Sequence, residues 1–326
     1  MSSMAPVTWP EGKKFAFTIV DDTDAATLEN VRPIYDLLAD LGFRTTKTIW
    51  PLDPIKSAPL GGKTLEDADW RRWIHELRRD GFEIAFHGVT DHESERSRTI
   101  DALAFWEREL GEPPRMYASH AGQKEAMYWG PRRFSGPTRL AYDVLNRALG
   151  RDTRFFGEDR DSVYYWGDLC GTKIDYVRNF TFRGINTLQA DPLMPWHDPS
   201  KPDVKYWFSS SNGAVGRDYC ALLGEENQDL LAEQGGACVV YTHFAYDFMH
   251  DGALRKDFVA LMRRLSKLGG WYVPASNVLD HLRARSTWKP NITALELERL
   301  QLRWMIDNLR TPRAGKYWRM LRSRLS

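Results

Sequence analysis

The sequence predicts an α/β protein built from parallel βαβ units, and three observations carry that prediction. Short apolar runs rich in aromatic and β-branched residues, KFAFTIV (14–20), GFEIAF (81–86) and ACVVYT (237–242), read as strands covered on both faces. Segments of helical periodicity alternate with them, and glycines mark the returns at Gly42, Gly81, Gly111 and Gly269-Gly270. Three of the runs also end in side chains that can do chemistry: Asp21-Asp22, His87 with His92, and His243.

Taken in order, Lys14–Val20 is the first strand. Thr27–Leu41 follows as a helix, with Leu28, Val31, Ile34, Tyr35, Leu38 and Leu41 at helical spacing. Phe43–Ile49 is a second strand, Leu65–Arg79 a second helix and Phe82–Phe86 a third strand. Ile100–Leu110 is expected to be helical, with a strand near Met116–Ala118. From about Pro131 to Glu233 the pattern loosens. A helix over Leu140–Leu149 is followed by short aromatic runs, SVYYWGDL and VKYWFSSS, divided by Gly, Pro and Asp, so one or two further repeats with long loops are expected. Order returns with the strand Ala237–Thr242, a helix over Ala253–Leu268 and a short closing strand, WYVPA.

Composition narrows the class. At 326 residues, 42% hydrophobic and 13% aromatic, the chain can bury a large core. The opening MSSMAPVTWPEGKKF has no apolar run behind its charges, and no window reaches the roughly 18 apolar residues of a membrane span, so a cytoplasmic protein is expected. Cys170, Cys220 and Cys238 are odd in number and widely spaced, as buried thiols would be. The charge is uneven. Residues 283–326 hold eleven Lys or Arg against three acids, a net of +8 that leaves −7 for residues 1–282. No phosphate loop, nucleophile elbow or nucleic-acid motif is present.

Ligands of parallel α/β sheets sit at the carboxyl ends of the strands, where this chain places its Asp and His residues. Two imidazoles and one carboxylate suit a borderline divalent ion such as zinc and leave a coordination position open. A second carboxylate can accept a proton there, and a further histidine can donate one.

At these residues the chain resembles the polysaccharide deacetylases of the NodB-homology type. "FTIVDDTDAATLENVRPIYDLLADLGFRTTKTIW" is similar to their first motif and "GFEIAFHGVTDH" to their second. "GGACVVYTHFAYDF", continuing to "LGGWYVPASNVLDHL", is similar to their closing segment. The resemblance implies a distorted (β/α) barrel of about seven parallel strands over residues 13–285, and the residues beyond it, 286–326, read as a basic amphipathic helical tail. The resemblance also implies metal-dependent removal of an acetyl group from an N- or O-acetylated sugar, in the setting of surface-polysaccharide assembly. Carried over by position, Asp21 is the general base and His243 the general acid. Asp22, His87 and His92 are the ligands of a divalent metal, zinc foremost. Tyr117, His120 and Trp129 are substrate contacts. The chain departs from the pattern in three places, and it has no match to the fourth motif. His87 and His92 are five apart where four is usual, Thr23 replaces a Gly after the paired acids, and "YASHAG" replaces the third motif's Arg-Pro. A barrel that binds carbohydrate without hydrolysing it, and a hydrolase of another amide or of a glycosidic bond, are the competing readings. The tail, with apolar residues from Leu295 to Leu309 and then Trp318, Met320 and Leu321 among arginines, implies either packing on the barrel or peripheral contact with an anionic membrane.

Overall fold

The computed structural model describes residues 7–120, 122–148 and 154–309. Its first half alternates regularly: β1 (Ala16–Asp21), α1 (Leu28–Asp40), β2 (Thr46–Ile49), α2 (Ala68–Arg79), β3 (Glu83–Phe86), α3 (Arg96–Leu110) and β4 (Met116–Tyr117). The looser middle holds α4 (Gly136–Ala148), α5 (Gly167–Lys173), β5 (Tyr176–Phe182), α6 (Thr187–Ala190), β6 (Tyr206–Asn212), α7 (Gly216–Leu222) and α8 (Glu225–Gln234). The chain closes with β7 (Ala237–Thr242), a hairpin of β8 (Met249–His250) and β9 (Ala253–Leu254), α9 (Lys256–Leu265), β10 (Trp271–Tyr272), α10 (Ala275–Arg283) and α11 (Ala294–Leu309).

Strands β1 to β7 pair in sequence order and in parallel, and β7 returns to β1 over six residue pairs, from Ala16 opposite Ala237 to Asp21 opposite Thr242. The result is a closed seven-stranded (β/α) barrel, with β10 as an added parallel strand on β1. The distortion lies at β4, which is two residues long and meets β3 through the single pair Phe86–Tyr117. Every residue of β1 is buried, as a strand covered by helices outside and side chains inside must be.

Local chemistry fixes the helix ends. Asn30 Oδ1 accepts the Thr27 backbone N–H at 2.8 Å to open α1. Asp67 caps α2 by accepting from the backbone of Asp69 and Trp70. Gly111, at φ 81°, ends α3 in the left-handed conformation that suits glycine. Apolar faces of the outer helices meet the barrel through aromatic pairs: Tyr35 of α1 packs edge-on against Trp73 of α2, Phe82 and Phe244.

Several sequence-based boundaries shift. The second strand begins at Thr46, and the helix expected over Ala253–Leu268 shrinks to α9 behind the β8–β9 hairpin. The middle supplies two barrel strands, β5 and β6, of which VKYWFSSS covers β6, whereas SVYYWGDL is a loop leading into α5. Helix α11 buries Leu297 and Leu300. It sets Trp304 against Phe134 and Phe180, at 5.4 and 5.7 Å between ring centroids. It thus lies beside the carboxyl end of β5, with Leu295, Leu302 and Ile306 exposed. Trp318, Met320, Leu321 and the basic residues around them lie outside the described residues. Among those described, no helix is long and apolar enough to cross a membrane.

Candidate metal centre

Beyond β1 the chain runs on through Asp22 and Thr23 to Asp24 and turns sharply at Ala25, whose φ is 54°. That turn puts Asp24 at the axis of the barrel mouth, where three histidines from three other strand ends meet it. His87, one residue past β3, places Nε2 3.1 Å from Asp24 Oδ1. His120, three past β4, places Nδ1 3.1 Å from the same oxygen. His243, one past β7, places Nε2 3.2 Å from Asp24 Oδ2. All four are buried. Burial alone would raise the Asp24 pKa, but facing His120 and His243 holds it well below the usual carboxylate range. Conversely, burial disfavours the charged forms of His120 and His243, and Asp24 outweighs it, so both pKa values rise.

Asp24, His87 and His120 bring one oxygen and two nitrogen donors within 4.8 Å of one another. The set fits a divalent ion: it is two imidazoles and a carboxylate, and the buried Nδ1 of His87 has no hydrogen-bond partner. His243 stands across Asp24 from this group, with its Nδ1–H donating to the Ala214 carbonyl at 2.8 Å, so Nε2 is the atom that faces the site.

The ligand set read from sequence, Asp22, His87 and His92, therefore differs in two members from the cluster the fold assembles. Asp22 is clamped by Arg178 of β5, which donates from Nη1 and Nη2 at 2.9 and 2.6 Å. Its nearest approach to the cluster is 3.8 Å, to His87 Nδ1. His92 is turned away: Nε2 accepts the backbone N–H of Ile55 at 3.1 Å, and Nδ1 donates to the Glu93 carbonyl at 2.8 Å. The loop between the two histidines is pinned by Gln123, which donates to the carbonyls of Thr90 and His92. Gly88, at φ 100°, permits the close approach, since a Cβ there would stand 2.5 Å from Gln123 Oε1. Asp91 is committed through one oxygen, with Oδ2 accepting from the backbone of Leu60 and Gly61 at 2.5 and 2.7 Å, while Oδ1 stands 3.6 Å from His120 Nε2.

Asp21 does not face the site as a free base would. Its Oδ2 accepts from Lys47 Nζ at 2.7 Å and Tyr35 Oη at 3.1 Å, and its Oδ1 from the Phe244 N–H at 2.7 Å. Burial raises its pKa against the pull of Lys47. Of the expected substrate contacts, His120 belongs to the cluster. Tyr117 is buried, bonded to Ser119 Oγ at 2.9 Å and packed edge-on to Trp166. Trp129 is half-buried, with the Arg133 guanidinium 3.7 Å from its ring centroid.

Two residues escaped the sequence reading. Asp24 had a signal, because in extended chain residues two apart point to the same side and Asp22-Thr23-Asp24 offers that spacing. Arg178 lies in a strand that reads as polar, YVRNFTF, and its only cue is an otherwise unneutralised acidic barrel mouth.

No family model matches the chain, and no curated protein matches it. Solved structures do. A PuuE allantoinase is 12% identical, with a TM-score of 0.50 over 88% of this chain and 96% of that one. A protein described as a polysaccharide deacetylase from Mycobacterium smegmatis is 15% identical, with a TM-score of 0.46 over 90% and 98%. The peptidoglycan deacetylase PdaC from Bacillus subtilis is 11% identical, with a TM-score of 0.39 over 89% and 97%. At this identity the likeness is one of fold, the distorted (β/α) barrel that the motif resemblance implies.

Proposed function

We propose that the chain is a metal-dependent hydrolase that removes an acetyl group from an N- or O-acetylated sugar, with zinc as the first candidate ion. The observation that carries this reading is the convergence of Asp24, His87 and His120 at the carboxyl ends of β1, β3 and β4, with His243 opposite. A divalent ion held there would activate water and polarise the acyl carbonyl. The chain's own groups supply the rest. Asp22, held in place by Arg178, accepts a proton from the attacking water, and His243 carries a proton at Nε2 for the departing amine or alkoxide. Asp21 and Lys47 hold the barrel beneath them. The motif resemblance points to sugars as substrates. The allantoinase at TM-score 0.50 favours a second reading, the same hydrolytic site on a substrate that is not a polysaccharide.

The test is metal analysis of the full chain together with acetate release from a panel of N- and O-acetylated sugars. About one divalent ion per chain and chelator-sensitive acetate release are expected. A metal-bearing chain that releases no acetate from any sugar favours the second reading, and a chain that takes up no metal removes both. Assembly of surface polysaccharide is the setting this function implies, with the basic residues after α11 as a contact for anionic membrane. Failure to co-sediment with anionic vesicles at low salt removes that contact.

A further inference from the structure

One cation at the edge of the site has no counter-charge. Two buried cations there are paired, Lys47 with Asp21 and Arg178 with Asp22. Arg133, at the end of the turn Gly130–Arg133, is not: among the described residues no carboxylate meets it, and its buried Nη2 makes no hydrogen bond. Its guanidinium lies over Trp129 at 3.7 Å and near Phe180 at 5.7 Å from the ring centroids. Burial, and repulsion from Arg178 nearby, bring its pKa down to about 10, so it is cationic at neutral pH.

Phe180, beside Arg133, lies two residues past Arg178 on β5, and Arg178 leads to the chemistry. Arg178 stacks on Tyr241 at 4.4 Å, and the Tyr241 hydroxyl stands 3.4 Å from His243 Nε2. Arg178 is paired with Asp22, so Arg133 is left without a carboxylate partner among the described residues, and a divalent ion on Asp24 would add further positive charge. Arg133 is half-buried, and its Nη2, closed off from water without a partner, carries an unmet desolvation cost that a ligand anion completing it would remove. The planar fork also matches carboxylate and phosphate geometry.

We propose that Arg133, backed by Trp129, forms a subsite for an acidic substituent of the substrate, a carboxylate or a phosphate. The proposal rests on the deacetylase reading only for the sugar that carries the substituent. The alternative role for Arg133 is packing between two aromatic rings, and binding measurements separate the two.

The experiment is calorimetric titration of the full, metal-loaded chain with three probes that carry no acetyl group: glucuronate, glucose 1-phosphate and neutral glucose. At least one charged probe is expected to bind about tenfold or more tightly than glucose. Arg133→Met, which keeps the apolar stem and removes the charge, should abolish that difference, and Arg133→Lys should keep part of it. Thermal unfolding checks that the variants fold, and Arg133→Gln replaces Arg133→Met should the latter not. The two charged probes decide between carboxylate and phosphate. Equal binding of charged and neutral probes overturns the proposal, as does a preference that survives Arg133→Met, since the anion is then held elsewhere, on the metal above all. Because no probe contains an acetyl group, a chain that selects anions but releases no acetate loses the deacetylase reading and keeps the subsite.

Discussion

Asp24 and His120 are 96 residues apart in the chain and 3.1 Å apart in the fold. Neither belongs to the pairs of acids and histidines that stand out in the sequence, yet both join His87 in the described cluster of metal-capable groups. Two loops make the contact possible, the turn at Ala25 and the short excursion after β4.

The first prediction separates His120 from His92. His120→Ala and Asp24→Asn should each leave the chain with well under one divalent ion after dialysis, whereas His92→Ala should keep its metal, because both ring nitrogens of His92 serve the backbone. Metal content of the three variants checks this. Metal loss from His92→Ala alone would restore the ligand set read from the sequence.

Asp22 should act on rate and not on metal. Asp22→Asn is expected to retain the ion and to lower turnover by roughly 10²- to 10⁴-fold, the usual contribution of a positioned proton acceptor. Arg178→Met should change activity in the same direction, since it frees the carboxylate from its clamp. An Asp22→Asn enzyme that is fully active, or one that is empty of metal, contradicts the role.

The Asp21–Lys47 pair makes a stability prediction. Both side chains are fully buried, so Lys47→Met strands a carboxylate in the barrel and should cost about 3–5 kcal/mol in denaturant unfolding. Combining it with Asp21→Asn should recover a substantial part. If the single change costs under about 1 kcal/mol, the pair does not hold the barrel.

Glu125 gives the pH dependence. Its carboxyl is buried with neither oxygen hydrogen-bonded, and burial pushes its pKa from 4.5 up to about 8. The folded state thus binds the proton more tightly than the unfolded state, and stability from this group is fully present below about 4.5 and lost as pH rises towards about 8. Wild type should lose thermal stability across that window relative to Glu125→Gln, measured at constant metal concentration. Parallel curves for the two proteins would refute the assignment.

How much of this was legible follows from where each signal is stored. The parallel architecture is written locally, in buried apolar runs, helical stripes and glycine stops, so β1, α1, α2 and β3 stand close to where periodicity puts them. His243 also lies where its strand end suggests. Strand β5 was hidden because Arg178, Asn179 and Thr181 break its apolar run, and Arg178 is tolerated there only because Asp22 neutralises it from across the barrel. The choice between Asp22 and Asp24, or His92 and His120, depends on loop conformation and on which backbone groups claim each side chain. No spacing rule contains that information.

Helix α11 fastens the segment that carries Arg133. Glu298 accepts from the Thr138 N–H at 3.0 Å, Gln301 bonds Ser135 through backbone and side chain, and Trp304 lies under Phe134. The groups of the candidate site hang from β1, β3, β4, β5 and β7, whereas the posture of Arg133 is set from α11. Among the described residues the two meet at β5, where Trp304 packs on Phe180. If Arg133 selects the ligand as proposed, substitutions on the face of the last described helix that meets residues 134–138 should retune which molecules are admitted, which makes α11 a place for laboratory evolution to alter selectivity.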